Sequence, residues 1–382
     1  MDAQILHSGL DGLRFTVQTE ITPELRKELA EAKAHAKQSF NDCDVSFGDI
    51  TLSVTKNGGH NFNCHTGELG AIWMFQDPED RIPNNPGVTV DFRAFGLATG
   101  GIDHAEQHFR EIMTVLAIPY AEHLLRVSRV DYAVDMLAPW FEPDRLALVA
   151  PPGTKVTEYT GIDETATQAT GGRVTGLRAG AVNNRQLAIY DKRVEVMQKA
   201  KDGWLEIWNA ERKVCGQDPL NLSDPDQSQI WRFELRLGQK QLRGKFEMHT
   251  WQDLRDTLGD AYNDALGRLR YCIPNSDSNR GRWPAHELWH LFDDNIRNNL
   301  AVHCCGVLPN QVIFANKIAK MRELDRQLLG LFVSRAAISE VAPDEFEGFM
   351  ESHVDALLRY SEEHSKTLDE RLQKASGRYR WT

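Results

Sequence analysis

Apolar and polar positions alternate in short runs over the first two thirds of the chain and then settle into helical spacing. Residues 13–19 alternate with period two and predict a strand. Thr22-Pro23-Glu24 then predicts a helix start, with a threonine cap and a proline at the first position. Residues 50–55, 71–75 and 88–95 predict further strands, divided by Asn-Gly-Gly and Pro-Asn-Asn-Pro-Gly turns. A helix is expected over 103–116, capped by Asp103, with Phe109, Ile112, Met113 and Leu116 on one face. Strands follow at 126–136, 155–159, 172–177 and 185–190, a helix after Asp191, and a last strand at 230–237. Beyond about residue 250 the segments 251–269, 285–302, 311–333 and 344–372 all predict helices. Strands cluster here instead of alternating with helices. The expected fold class is therefore α+β: a mostly antiparallel sheet body over 1–248, then a helical C-terminal region over 249–382.

Composition changes this picture little. Hydrophobic residues are 41% and charged residues 26% of the 382, an ordinary globular balance. No apolar run reaches the roughly 18 residues of a membrane span and no basic-then-apolar leader opens the chain, so no membrane partner and a cytoplasmic location are expected. Six cysteines, two of them adjacent at 304 and 305, do not form a disulfide framework. His60, Cys64 and His65 lack the partners of a zinc site. The net charge of −11 argues against a nucleic-acid binder. Basic residues concentrate between Arg173 and Lys245, however, and a phosphate backbone responds to a local patch because screening removes charge beyond about 10 Å.

Three segments carry candidate chemistry. In residues 127–136, Val130, Tyr132, Val134 and Met136 share one strand face, while Arg129, Asp131, Ala133 and Asp135 share the other. Such a face is either a solvated, salt-bridged surface or a hard-metal site built from oxygen ligands. Asp131 and Asp135 would lie roughly 13 Å apart on a straight strand, too far to chelate one ion, so a partner carboxylate from a neighbouring strand is expected. Residues 230–237 repeat the design: Trp231, Phe233, Leu235 and Leu237 alternate with Arg232, Glu234 and Arg236. If the two strands pair, Asp131 and Glu234 would hold the ion and the arginines would meet phosphate oxygens. The third segment reads as a hairpin, with Arg178 on its first strand, Arg185 on its second, and Tyr190 at the end of the second. A tyrosine nucleophile needs its proton removed or a nearby cation, and Lys192 is placed to supply one.

The motifs Arg129-Val130-Asp131-Tyr132-Ala133-Val134-Asp135, Leu187-Ala188-Ile189-Tyr190-Asp191-Lys192 and Trp231-Arg232-Phe233-Glu234-Leu235-Arg236-Leu237 occur in that order. Together with Gly9-Leu10-Asp11-Gly12-Leu13 and Trp251-Gln252-Asp253-Leu254, they resemble the Rep-trans family of replication initiation factors. These are rolling-circle plasmid and phage initiators, with related relaxases of integrative conjugative elements. The resemblance runs from about residue 8 to about residue 290. It implies a site-specific, metal-dependent single-strand DNA endonuclease and strand transferase that starts rolling-circle replication through a 5′-phosphotyrosine. On that pattern Tyr190 is the nucleophile, assisted by Arg129 and Lys192. Asp131, Glu234 and Asp135 hold Mg2+ or Mn2+. From the residues themselves, Arg178, Arg185, Arg232 and Arg236 are expected to contact DNA, and Trp283, in the polar basic loop 276–284, either stacks on an unpaired base or belongs to a surface loop capping the helix that starts at Pro284. The family's Gly-Ser-Arg turn reads Gly176-Leu177-Arg178 here, which leaves a phosphate-holding role for that turn unsupported. No histidine-hydrophobe-histidine pair is present.

Implied partners are single- and double-stranded DNA at an origin or transfer site, with a helicase or a second copy of the chain as partners of the helical C-terminus. Four other readings remain open from the residues. These are a conjugative relaxase, a non-catalytic DNA-binding protein, a phosphohydrolase using water, and a tyrosine recombinase. The last leaves the carboxylate-bearing strands unexplained.

Overall fold

The computed structural model describes residues 3–67, 69–159, 174–198, 202–300, 309–362, 368–370 and 372. Along the chain run β1 (Gln4–Gln18), α1 (Pro23–Ser39), β2 (Cys43–Phe47), β3 (Ile50–Val54), β4 (Asn61–His65), β5 (Ala71–Gln76), β6 (Gly87–Phe92) and α2 (Ala94–Val115). Then come β7 (Leu125–Leu137), β8 (Leu148–Val149), β9 (Val156–Tyr159), β10 (Gly176–Gly180), β11 (Arg185–Asp191), α3 (Lys192–Gln198), α4 (Asp202–Val214), α5 (Pro225–Ser228), β12 (Ile230–Gly238) and α6 (Gln239–Leu242). The remainder is α7 (Trp251–Leu266), β13 (Arg270–Tyr271), α8 (Glu287–Leu300), α9 (Pro309–Ile338) and α10 (Phe346–Glu362).

Eleven strands form one antiparallel sheet in the order β2-β3-β4-β5-β6-β1-β7-β12-β11-β10-β9, among the described residues. The expected α+β class, a large antiparallel sheet with helices, is what the chain adopts. Alternation sets the two faces. Phe15, Trp73, Val90, Val130, Val134, Phe233, Leu235 and Ile189 point to one side and are buried there. Helices α1, α2, α7 and α8 close that side. Trp251 stacks on Phe15 with ring centroids 4.1 Å apart and meets Phe92 and Phe109 edge-on or tilted. A capping box fixes the start of α7: Thr250 accepts from the Asp253 backbone N–H, and Asp253 accepts from that of Thr250.

On the other side, α3 and α4 cover only one end of the sheet. Leu6, Val196, Trp204, Trp208 and Ile230 form a second, smaller core there.

Several elements differ from the sequence expectations. β1 begins nine residues before the expected strand, because polar Ser8 and the glycines at 9 and 12 obscure its alternation. β2 and β4 are absent from the sequence expectations because each alternates over only 5 residues, too short a run to stand out. The expected strand over 172–177 is instead β10, starting at Gly176, and Arg173 lies outside the described residues. The chain divides into compact units at 1–306 and 307–382, not at 248/249. The reason is that α7 and α8 supply Trp251, Leu254, Tyr262, Leu288 and Phe292 to the core of the sheet body. The second unit holds α9 and α10. No described helix is long and apolar enough to cross a membrane.

Candidate active site

The register of the four central strands gathers the candidate residues. β12 pairs with β7 so that Arg232 faces Asp135, Glu234 faces Ala133 and Arg236 faces Asp131. On its other edge β12 pairs with β11, which places Tyr190 opposite Arg232 and Ala188 opposite Glu234. β1 completes the row, with Gly12 opposite Asp131. Since side chains alternate, all of these polar groups emerge on the face that α3 and α4 partly cover.

Tyr190 is partly exposed, and its hydroxyl donates to Glu234 Oε2 at 3.2 Å. Burial pushes the phenol pKa well above its ordinary value, and the negative charge of Glu234 pushes it further. Glu234 is 2% exposed and receives both Nε and a terminal nitrogen of Arg236, at 2.7 and 3.1 Å. Burial disfavours its charge, but the Arg236 guanidinium outweighs burial and holds the carboxyl below its ordinary pKa.

Asp131 is held by Arg129, whose Nε donates at 2.9 Å and whose terminal nitrogen lies 2.5 Å away. Burial first, and then repulsion from Glu234, push the Asp131 pKa up to about 7. The two acids are therefore close enough to feel each other, as expected for diagonal neighbours on paired strands. Gly12 leaves room for this carboxylate, because a Cβ at position 12 would lie 2.7 Å from Asp131 Oδ2.

The raised Asp131 pKa fixes a sign for stability. The folded protein keeps a proton up to about pH 7 that the unfolded chain releases near its ordinary 3.8, so this group lowers stability as pH rises from about 4 to about 7. Asp131→Asn should remove that loss. Its melting temperature relative to the native chain should rise between pH 4 and pH 8; a difference that stays constant across that range would contradict the assignment.

Behind Tyr190 lies a buried ion pair. Arg232 and Asp135 are both fully buried and joined by bonds of 2.6 and 2.8 Å, and Arg232 also bonds Asp11. Trp208 Nε1 donates to the same carboxylate at 2.9 Å. The Arg232 guanidinium packs 4.3 Å from the centre of the Trp204 ring. Lys192, the first residue of α3, is 3% exposed and bonds Glu195 at 2.7 Å. Burial, then Arg232, depress its pKa. Its ammonium sits 5.8 Å from the Tyr190 ring centre. Asp191, between the tyrosine and the lysine, accepts from the Val194 backbone N–H at 3.1 Å and from Gln229 at 2.6 Å. It thereby fixes the strand-to-helix turn that sets Tyr190 and Lys192 side by side.

With this geometry in view, the chain is similar to a rolling circle replication initiator protein from Geobacillus stearothermophilus. The identity is 14%, the TM-score 0.39, and the match covers 78% of this chain and 97% of that one. No protein-family model and no curated protein matches the sequence. So distant a likeness leaves the chemistry of the site to its own residues.

Of the expected site residues, Tyr190, Glu234, Asp131, Arg129, Arg236 and Lys192 come together. Arg178 lies in the same row, opposite Ala188 and on the same face. Four residues depart from expectation. Asp135 does not join Asp131 and Glu234 as an ion ligand, because both of its oxygens are taken by Arg232 and Trp208. Arg232, for the same reason, is buried and does not meet DNA. Arg185 emerges on the opposite face, 3.3 Å from Asp264 of α7, because it is an odd number of residues from Tyr190 along the strand. Trp283 is tied into its own loop through Asp277 O, with Arg280 stacked on it, on the side of β8 and β13.

Among the described residues, no three His, Cys, Asp or Glu side chains cluster as a metal site. Asp131 and Glu234 still form a donor pair suited to a magnesium-like ion, which commonly takes one or two carboxylates and completes its shell with phosphate and water. The repulsion between the two carboxylates is what a bound cation would relieve. Sequence reasoning missed Asp11, Trp204 and Trp208. The tryptophans are spaced i, i+4 on α4, a signal for one helical face but not for what it covers.

Proposed function

We propose that this chain cuts one strand of DNA by attack of the Tyr190 oxygen on a backbone phosphate, as a rolling-circle initiator does. The observation that carries the proposal is the 3.2 Å bond from the Tyr190 hydroxyl to Glu234, on a sheet face that also presents Asp131, Arg129 and Arg236. A phenol with a raised pKa is a poor nucleophile unless a base takes its proton, and Glu234 is already in position to accept it. As the proton passes to Glu234, the phenolic oxygen bonds to phosphorus and the bond from phosphorus to the 3′ oxygen breaks. That oxygen takes up a proton from water and becomes a free 3′ hydroxyl, Glu234 returns its proton to solvent, and the 5′ phosphate stays on the tyrosine. The phosphodiester has become a phosphotyrosine diester, so the reverse attack can rejoin the strand without a nucleotide cofactor. Arg129 and Arg236 lie beside the two acids and supply positive charge toward the phosphate. Asp131 and Glu234 would hold Mg2+ or Mn2+, which when bound polarises a non-bridging phosphate oxygen.

Tyr190→Phe tests this directly. Native chain mixed with supercoiled DNA of its parent element and Mg2+ or Mn2+ should give nicked circles and a DNA-linked peptide containing residue 190. The phenylalanine variant should give neither, with an unchanged melting temperature. Nicking by the variant at the native rate would rule out the tyrosine mechanism; nicking by both without an adduct would point to hydrolysis by water.

A further inference from the structure

The face that bears Tyr190 continues along β7 and β1 past Asp131. Arg129 faces Arg14 across β1 and β7, and Arg14 in turn faces and bonds Asp91 of β6. A bulge at Ser128 resets the alternation, so the next residue on this face is Arg126, opposite Thr16. Its neighbours Leu125 and Val127 are fully buried on the core side. Arg243 caps the C-terminal end of α6, and α6 packs against β7, the strand that carries Arg126. Burial first, and then Arg126, depress the Arg243 pKa.

These two arginines differ from the others on the face. Arg14 and Arg129 each have a carboxylate partner. Arg126 instead donates to the carbonyls of His123 and Leu125 at 2.5 and 2.6 Å, and Arg243 to the side chain of Gln239. Among the described residues neither forms an ion pair, and both are half-buried. Two partly desolvated like charges held together without a counter-ion are unfavourable in the free protein, and an anion between them removes the cost. A phosphodiester oxygen is such an anion and accepts from guanidinium groups.

We propose that Arg126 and Arg243 together hold a backbone phosphate of the single-stranded DNA that reaches Tyr190. The subsite lies about 20 Å along β7 from the Glu234 row, counting some seven residues at 3.3 Å with one bulged. The strand's path runs along this face, past Arg236 and Arg129, and ends on this pair. The inference rests on the proposed nicking reaction for its choice of ligand, but its test does not depend on cleavage.

The test is fluorescence anisotropy of a labelled oligothymidylate titrated with native chain, Arg243→Gln and Arg243→Glu over a series of salt concentrations. Arg243→Glu gives Arg126 an acidic neighbour, so its melting temperature should hold or rise while its DNA affinity falls roughly ten- to a hundredfold at low salt. The slope of log K against log salt should become shallower by about 0.7 for Arg243→Gln, as one phosphate contact is lost. A merely structural role for the pair would move stability and leave the salt slope in place. Native-like affinity and slope in Arg243→Glu, or no binding by the native chain, would overturn the subsite. If instead the arginine variants lose affinity while no tyrosine adduct ever forms, the subsite stands and the nicking proposal falls.

Discussion

Replacing Arg232 with methionine should cost the folded state about 3–5 kcal/mol, the usual result of leaving a buried ion without its partner. Arg232 is completely buried and so is Asp135, which would keep only the Trp208 indole as a donor. Asp11 would lose its bond to the same guanidinium. The damage should extend to α4, because Trp204 rests on the Arg232 guanidinium and Trp208 is anchored to Asp135. A second substitution, Asp135→Leu, should recover much of the loss, since a buried pair can be exchanged for apolar residues of similar volume at little net cost. Urea unfolding of the two variants checks both statements. An unfolding midpoint for Arg232→Met equal to that of the native chain would mean the pair does not hold this end of the sheet. Equal instability of the single and double variants would point to packing against Trp204 as the larger contribution.

Glu234→Gln should slow formation of the tyrosine–DNA adduct by roughly a hundred- to ten-thousandfold, the usual contribution of a positioned base. The same change should move the phenol in the opposite sense from what the rate alone would suggest. With the Glu234 charge removed, the Tyr190 pKa should fall, because that charge is second only to burial in raising it. A lower pKa alone would favour attack, so a slower reaction together with an easier ionisation separates loss of the proton acceptor from a general electrostatic effect. Ultraviolet titration of the tyrosines, compared with Tyr190→Phe to identify the signal, gives the second quantity. Adduct formation at the native rate in Glu234→Gln would remove this carboxylate from the proposed mechanism and leave Asp131 as the acid to examine. Arg236 should remain folded in either case, since Gln186 also bonds it at 3.0 Å.

The pairing of the two acid-bearing strands is legible because both 129–136 and 231–237 alternate strictly. A register that buries Val130, Val134, Phe233 and Leu235 together must put Asp131 and Glu234 on one side. The same rule misplaced Arg185 only where it was not applied. It lies five residues before Tyr190, an odd interval, and so belongs to the other face. The helical segment after 250 was legible as helix but not as part of the first body. Periodicity reports an apolar stripe without saying which surface covers it, and here the sheet does.

The role of Asp135 could not have been read from the chain. In sequence it is equivalent to Asp131: each is an acid on the same face of β7. They differ in their neighbours. Arg232 lies opposite Asp135 with Trp208 above it, whereas Asp131 meets Gly12, Arg129 and the charge of Glu234. Sequence alone thus determined the two acid-bearing strands, their faces and the inventory of acids, bases and phenol available to the site, because alternation is a local property of the backbone. The tertiary structure decided which acid is neutralised in a buried pair and which stays near the phenol. Burial and charge pairing depend on what residues distant in the chain, such as Asp11, Trp204 and Trp208, bring to the same few ångströms.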